Sequence, residues 1–407
     1  MPRVGWRKPE SGERLSDHIS IGVLTRTYPP STVDAIIMET GKREQRHRLL
    51  PARVMVYYVM AMSLFSQDAY EEVMRRLVDG LSWLTNWKTR WDVPTKAAIF
   101  KGRARLGAEP LRALFRSVVR PLGKPESRGV WYRNWRVMSI DGTTVNIADT
   151  PENEAFFGRP AVSQGGERSA FPQLRLSVLA ESGTHAIVNA DVGPYGQGET
   201  KLARDLLGSL QPNMLCLADR NFFSHALWRD SQQTGANLLW RVKKDLLLPI
   251  LEELPDGSYL SRLYETTYDR QHDRHGVTVR VIEYTVDDPG RPQAEAVYRL
   301  ITTILDHEAA PANELAALYC ERWEVETALD ELKTHQRGPR MVLRSKTPDG
   351  VLQEMYGYLL THYAVRALMH EAALLAGEDP DRLSFTRSLR VVRRNLDGAR
   401  SFFPLNS

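Results

Sequence analysis

The chain has 407 residues, 42% of them hydrophobic and 26% charged, with a formal net charge of +4, which is globular composition at a length that allows two or three domains. Its two cysteines, Cys216 and Cys320, exclude a disulfide framework and match no metal-ligand spacing, so a reducing compartment is expected. The longest uncharged apolar run, the 12 residues from Val54 to Phe65, is too short to span a bilayer and the N-terminus lacks a secretory signal, so a cytoplasmic protein with no membrane partner is expected.

Residues 14–125 read as helical. Ser31, after a proline pair, is expected to cap a helix ending near Gly41; a second helix follows Pro51, and a third runs from Asp68 to Val78 and stops at Gly80. The stretch PTKAAIFKGRARLGAEPLRALFRSVVRPLG gives two more helices joined around Gly107, a helix-turn-helix in outline. Between Asn86 and Arg136 thirteen Lys or Arg stand against three acids, a net +10, which leaves −6 for the rest of the chain. A block this basic, interleaved with Trp87, Trp91, Phe100, Phe115, Trp131 and Trp135, suits a nucleic-acid surface, because each phosphate neutralised releases condensed counterions. Lys101, Arg103 and Arg105 are its candidate DNA contacts; a solvated basic helix pair is the plainer alternative.

From Trp135 the texture changes. WRVMSIDGTTVNI reads as two strands around an Asp141-Gly142 turn, and LRLSVLAESGTHAIVNADV as a second antiparallel pair around Ser182-Gly183. A helix follows from about Gly198 to Leu210, entered through GPYGQGE, which lacks the Lys-Ser/Thr of a phosphate-binding loop. MLCLADRNF then gives a strand buried on both faces, Ser224 caps the next helix, and ANLLWRVKK is a further strand. Residues 245–297 are rich in turn residues, acids, Tyr, Thr and Val and look like a β-rich insertion; the His272/His275 pair within it reads as surface. YRLITTIL returns to a core strand, a helix covers about Pro311 to His335, and past Leu343 the chain is helical, ending on the basic RSLRVVRRNLDGAR. This order of elements implies a mixed α/β sheet with helices on both faces.

The helix YCERWEVETALDELK, Tyr319 to Lys333, does not distribute its charges as a solvated helix would. At 100° per residue Tyr319, Arg322, Glu326 and Lys333 share a stripe about 60° wide, bordering an apolar seam of Leu318, Val325, Leu329 and Leu332. Glu321, Glu324 and Glu331 fall on an outer face. Arg322 and Glu326 could be an ordinary i,i+4 surface pair. Two aspartates suggest more: Asp141 ends the apolar VMSI and Asp219 ends the apolar MLCLA, and carboxylates at the ends of central strands lie where open α/β sheets place ligands. With Glu326 they would complete an all-oxygen site suited to Mg²⁺ or Mn²⁺. Arg322 and Lys333 would then grip phosphates, Tyr319 could donate its hydroxyl to another, and Trp323, beside the stripe, could stack on an unpaired base.

With these residues the sequence resembles the DDE transposases of the bacterial insertion-sequence-four type, whose signature of Tyr, Arg, Glu and Lys is matched by Tyr319, Arg322, Glu326 and Lys333. The family's first Asp, in a strand and followed by Gly, matches Asp141 in SIDGTTVNI, and its second matches Asp219 in LADRNFF; Arg241 and Lys243 in WRVK resemble a phosphate-gripping segment. The resemblance implies an RNase-H-like α/β core with a mixed sheet over 130–343, interrupted by a β-rich insertion at 245–297. A helical DNA-end-binding domain at 14–125 would precede it and C-terminal helices at 344–407 would follow. It implies further a Mg²⁺-dependent enzyme, Mn²⁺ substituting, with Asp141, Asp219 and Glu326 as catalytic and metal-holding residues. Its partners would be double-stranded DNA, both terminal inverted repeats and target, and a second copy of itself in a synaptic homodimer, associated with the nucleoid. Relatives flip a base near the cleaved end, for which Trp323 and Trp240 are the candidates here. The alternative function is a catalytically inactive DNA-binding repressor derived from such an enzyme.

Overall fold

The N-terminal helices are α1 (Gly22–Thr27), α2 (Pro30–Glu39), α3 (Ala52–Leu64), α4 (Tyr70–Ser82), α5 (Lys96–Leu106) and α6 (Glu109–Val118); α4 runs past Gly80, where a stop was expected, because a single glycine weakens a helix without ending it. The structure, a computed structural model, describes residues 22–46, 48–82, 94–160, 169–285, 297–338 and 342–394; Trp87, Trp91 and the end of the basic C-terminal stretch lie outside them. Helix α2 starts at Pro30 rather than from a Ser31 cap, because proline's fixed φ is already helical and its missing N–H is not needed in a first turn. Thr95 Oγ1 accepts from Ala98 N at 3.3 Å to open α5, and Gly107, at φ 72°, closes it. Helix α3 is buried along nearly its whole length, as an apolar sequence without a polar face must be.

The strands are β1 (Trp131–Tyr132), β2 (Trp135–Asn146), β3 (Gln173–Glu181), β4 (Ala186–Pro194), β5 (Met214–Ala218), β6 (Asn237–Arg241), β7 (Glu252–Glu253), β8 (Tyr259–Leu263), β9 (Val277–Tyr284) and β10 (Tyr298–Thr302). They form one ten-stranded sheet in the order β4-β3-β2-β5-β6-β10-β9-β8-β7, with β1 paired to β2. Strands β2, β5 and β6 are parallel, and β3, β4 and β10 antiparallel to their neighbours, the mixed sheet of an RNase-H-like core. One expectation about the sheet changes. WRVMSIDGTTVNI is one continuous strand, because β3 pairs with it from Met138↔Glu181 to Asn146↔Gln173 and that ladder outweighs a turn at Asp141-Gly142. Within the insertion β9 pairs with β10, so β7 to β9 carry the core sheet outward.

Helices α7 (Pro151–Phe157), α8 (Glu199–Leu206), α9 (His225–Gln232), α10 (Thr267–Gln271), α11 (Ala312–Leu318), α12 (Trp323–Asp330), α13 (Pro348–Ala376) and α14 (Phe385–Arg394) complete the described fold. Ser224 Oγ accepts from Leu227 N at 3.2 Å to start α9, as expected. Helix α13 crosses α3 closely enough that a Cβ on Gly357 would lie 2.9 Å from Val59. Thr361 Oγ1 donates to Met60 O at 3.2 Å across the same contact, and Tyr28 Oη, from the link between α1 and α2, donates to Leu360 O at 2.7 Å. The helices at the two ends of the chain therefore share one hydrophobic core, continuous with one face of the sheet; a smaller core on the other face joins Val137, Leu215, Leu239 and Leu300 to Leu315 and Tyr319. Among the described residues no helix is long and apolar enough to cross a membrane.

Candidate active site

Strand β5 pairs with β2 only as far as Ile140↔Ala218, so Asp141 and Asp219 are the next residues on two adjacent parallel strands and emerge at the same end of the sheet. The helix that packs there is not uniform. Tyr319–Arg322 form a 3-10 turn between α11 and α12, and Glu331–Gln336 form a π turn after α12; a π turn inside a helix is frequent at functional sites.

Tyr319 is buried and its hydroxyl donates to Ala218 O at 3.3 Å, the residue before Asp219. Burial drives its pKa far above the ordinary tyrosine value. Its role here is to fix the helix on the end of β5, and its hydroxyl is spent on that carbonyl. Arg322 is buried, lies over the Trp323 ring at 4.7 Å, and donates through Nη2 to Glu326 Oε1 at 2.8 Å. Glu326 is 41% exposed and Asp219 22%. Asp141 is pushed up to about 6, first by burial and then by the charges of Glu326 and Asp219, against the pull of the Gly142 N–H and Arg322. Asp141 thus feels both other carboxylates, and Arg322 feels Asp219 as well as Glu326.

Lys333 reaches back to the same strand, its Nζ donating at 2.7 Å to Thr143 Oγ1, two residues beyond Asp141. Burial, with Arg337 adding to it, lowers its pKa. Arg241, at the end of β6, lies 3.9 Å from Asp219 and over the Tyr298 ring at 4.3 Å, while Lys243 is exposed. Trp240 is fully buried, edge-on to Trp228 at 5.3 Å, whereas Trp323 is 49% exposed, so of the two tryptophans only Trp323 is accessible from solvent. Thr143 and Glu199 escaped the sequence reading. Glu199, bonded to Arg175 at 2.7 Å, sits against Gly142, where a Cβ would come 3.3 Å from its Cδ; no local pattern marks either residue.

Among the described residues, the basic side chains between Lys96 and Arg136 do not form one surface. Arg103 is buried, donating to Gln353 at 3.2 Å, Ser345 at 2.9 Å and Gly350 O at 3.0 Å, and ties α5 to α13. Arg136 pairs with the buried Glu181 and Arg133 with Glu314 at 3.1 Å. Lys101 is exposed. Arg105 lines a cleft of about 450 Å³ with Lys42, Arg43, Arg46 and Arg48, away from the carboxylates. The outer acidic face of the charged helix is also corrected: Glu331 is buried against Arg366 and His362, and the Gly183 N–H donates to Glu324, because α13 and the β3–β4 turn pack where a helical wheel shows solvent.

The donor chemistry of Asp141, Asp219 and Glu326 fits a hard divalent cation: all oxygen, partly exposed, and clustered so that a cation relieves their mutual repulsion. Their oxygens do not all fall within 4.8 Å of one another; among the described residues only His185, Glu324 and Asp381 meet that spacing.

Residues 135–363, more than half the chain, match the family described as transposase DDE domain, and residues 18–116 match the insertion element 4 transposase N-terminal family. The transposase InsG for insertion sequence element IS4 of Escherichia coli (strain K12) is 28% identical over 373 residues, covering 90% of this chain and 81% of that one. The putative transposase InsZ of the same organism is 26% identical over 232 residues, 57% of this chain and 71% of its own. A solved piggyBac transposase synaptic complex with hairpin DNA aligns with TM-score 0.47 and 9% identity, over 93% of this chain and 80% of that chain.

Proposed function

The chain belongs to the transposase DDE-domain family, and from that premise we propose that it binds the terminal inverted repeats of its element, hydrolyses a phosphodiester at each end and joins the freed 3′-hydroxyl to target DNA. The observation that carries the reading is the emergence of Asp141 and Asp219 at the shared end of β2 and β5, where Tyr319 docks the helix that carries Glu326 and its partner Arg322. These three carboxylates would hold Mg²⁺, with Mn²⁺ as a substitute. When bound, such cations lower the pKa of the attacking water or 3′-hydroxyl and stabilise the oxygen that leaves.

The chain's own residues orient the strand. Lys333, held beside Asp141 through Thr143, and Arg241 beside Asp219 offer fixed positive charge to the phosphates on either side of the scissile bond, and the exposed Lys243 extends that line along the backbone. Trp323 presents the ring on which an unpaired base stacks. Farther out, Lys101 and the cleft of Arg105, Lys42, Arg43, Arg46 and Arg48 bind duplex flanking the cut. Two copies of the chain, each cutting one end, assemble on nucleoid DNA as the synaptic complex.

The test is cleavage of a labelled duplex carrying the element's end, with Mg²⁺, with Mn²⁺ and with a chelator, comparing the intact chain with Glu326→Ala. Metal-dependent nicking at the boundary that disappears in the variant while binding persists supports the reading, and strand-transfer products separate it from a nuclease that only cuts. Binding of the end by the intact chain with no cutting under either metal would make it a repressor instead.

A further inference from the structure

Helix α14, FTRSLRVVRR, carries four arginines and no acid. Phe385, Leu389 and Val392 share one side of it and are buried, Phe385 lying against the His362 ring at 5.2 Å. Arg387, Arg390 and Arg394 are exposed on the opposite side, within about 60° of one another at 100° per residue. Among the described residues none of these three pairs with a carboxylate. The acids that lead into the helix are engaged elsewhere, Asp381 at 3.0 Å from His185 Nε2 and Glu378 at 3.1 Å from Arg382. Arginines on other exposed faces are matched: Arg229 pairs with Glu265 at 2.9 Å and Arg262 with Asp273 at 2.6 Å. Three unmatched guanidinium groups on one face repel one another, and a row of phosphates relieves that repulsion through the planar fork each presents.

The fourth arginine fixes the helix in place. Arg393 donates through Nε to Leu64 O at 2.6 Å and through Nη2 to Gln336 O at 3.2 Å. Leu64 ends α3, and Gln336 ends the π turn that contains Lys333. Ser66 Oγ and Gln67 Nε2 close on the same place, donating to Arg337 O at 3.0 and 3.3 Å. Positive charge therefore leads from the carboxylates to α14: Lys333 beside Asp141, then Arg337, Arg393 and Arg390. Burial, with Arg337 adding to it, lowers the pKa of Lys333, and burial, with Arg390 adding to it, lowers that of Arg393. Asp68, which acts on Arg393 in the other direction, is itself paired with Arg76 at 2.7 Å. At the far end of α3, about 18 Å from Leu64, Ala52 lines the cleft of Lys42, Arg43, Arg46 and Arg48. Helix α14 thus sits at the end of α3 that is linked to the carboxylates, and the basic cleft at the other.

We propose that Arg387, Arg390 and Arg394 of α14 bind backbone phosphates of the element's own end, on the stretch of duplex between the cut and the N-terminal helices. The inference rests on the DNA reading above and gives a role to a helix that reading leaves unused. From Arg387 to Arg394 the helix rises about 10 Å, the length of about three phosphates along one strand. The contact carries no sequence information; it holds the end in line with Lys333 and the carboxylates.

The experiment compares the full chain with Arg387→Gln/Arg390→Gln/Arg394→Gln for binding of a labelled duplex carrying the element's end, by fluorescence anisotropy across a salt series, with Tm measured in parallel. Expected in the variant are a slope of log K against log salt smaller by about 2–3 and an affinity lower by about tenfold or more at low salt, at unchanged Tm. Phosphate-ethylation interference locates the contact: ethylation at about three phosphates inside the element weakens binding by the intact chain and not by the variant. If the triple variant has a lower Tm, Arg390→Gln alone serves, with a slope smaller by about 1. An unchanged slope in the folded variant, where the intact chain binds and cuts the end, overturns the proposal and leaves the DNA reading standing, as does interference lost only at phosphates outside the element. Failure of the intact chain to bind the end at any salt overturns both.

Discussion

Arg322 shows how much of a site one side chain can organise. It stands among Asp219, Glu326 and Asp141, so its loss removes both the partner of Glu326 and the positive charge near Asp141. Arg322→Ala is expected to lower the cleavage rate of a labelled element end by about 10²-fold or more, and Arg322→Lys to recover little, because a point charge does not replace the planar fork; single-turnover cleavage with binding measured in parallel checks this. Asp256 does comparable work for stability. Its carboxylate accepts from Ser258 Oγ at 2.5 Å and from Ala312 N at 2.8 Å, and pairs with the fully buried Arg280, joining the insertion to the start of α11. Burial would raise its pKa, but the Ser258 and Ala312 hydrogen bonds and Arg280 outweigh that and hold it below the ordinary value. A depressed carboxylate stabilises fully above its unfolded pKa of about 3.9 and loses that contribution as pH falls through the lower folded value. Asp256→Ala, which leaves Arg280 buried without a counter-charge, should cost about 3–5 kcal/mol at pH 7, and its urea midpoint should fall less steeply than that of the unmodified chain below about pH 4. At this scale the stripe from Tyr319 to Lys333 and both aspartates were legible, because chemistry constrains residue types at fixed spacings. Asp256 carried no signal beyond the composition of the insertion, and the burial of Tyr319, Arg103 and Glu331 depends on partners far away in the chain.

Elements were easier to locate than to delimit. The helix start after Pro51, the Ser224 cap and the stop at Gly107 follow from local backbone chemistry and stand where the sequence puts them. The long strand β2 does not: an Asp-Gly pair between apolar runs carries the local signal of a hairpin, and only pairing with β3, some thirty residues on, keeps it extended. The charged helix was read as one regular helix, whereas the structure tightens it at Tyr319 and widens it at Glu331. The β3–β4 turn is a case where an element is fixed by close backbone contact. Gly183 has φ 60° and touches Gly129, so Gly183→Ala should destabilise the chain by at least about 2 kcal/mol, visible as a lower Tm. Gly196→Ala, in open space, should leave Tm within about a degree.

For the whole molecule, the sequence suggested three successive segments, and the structure threads the last through the first. Helix α13 is buried along one flank by α3 and along others by α5, α6 and the sheet. A chain ended at residue 343 would leave α3 uncovered, and the expected outcome is an insoluble product without the helical circular dichroism of the full chain. Charge acts at this scale too. If Lys101 and Lys243 each neutralise a phosphate, Lys101→Ala and Lys243→Ala should each reduce the slope of log K against log salt for element-end binding by about 1, measured by fluorescence anisotropy. The same threading has a consequence in time. Leu64 leaves the ribosome 284 residues ahead of Pro348, so at roughly 5–20 residues per second the most apolar helix of the protein waits on the order of tens of seconds for the segment that covers it. A chain cut short anywhere before α13 is therefore expected to expose α3 and to yield no folded product.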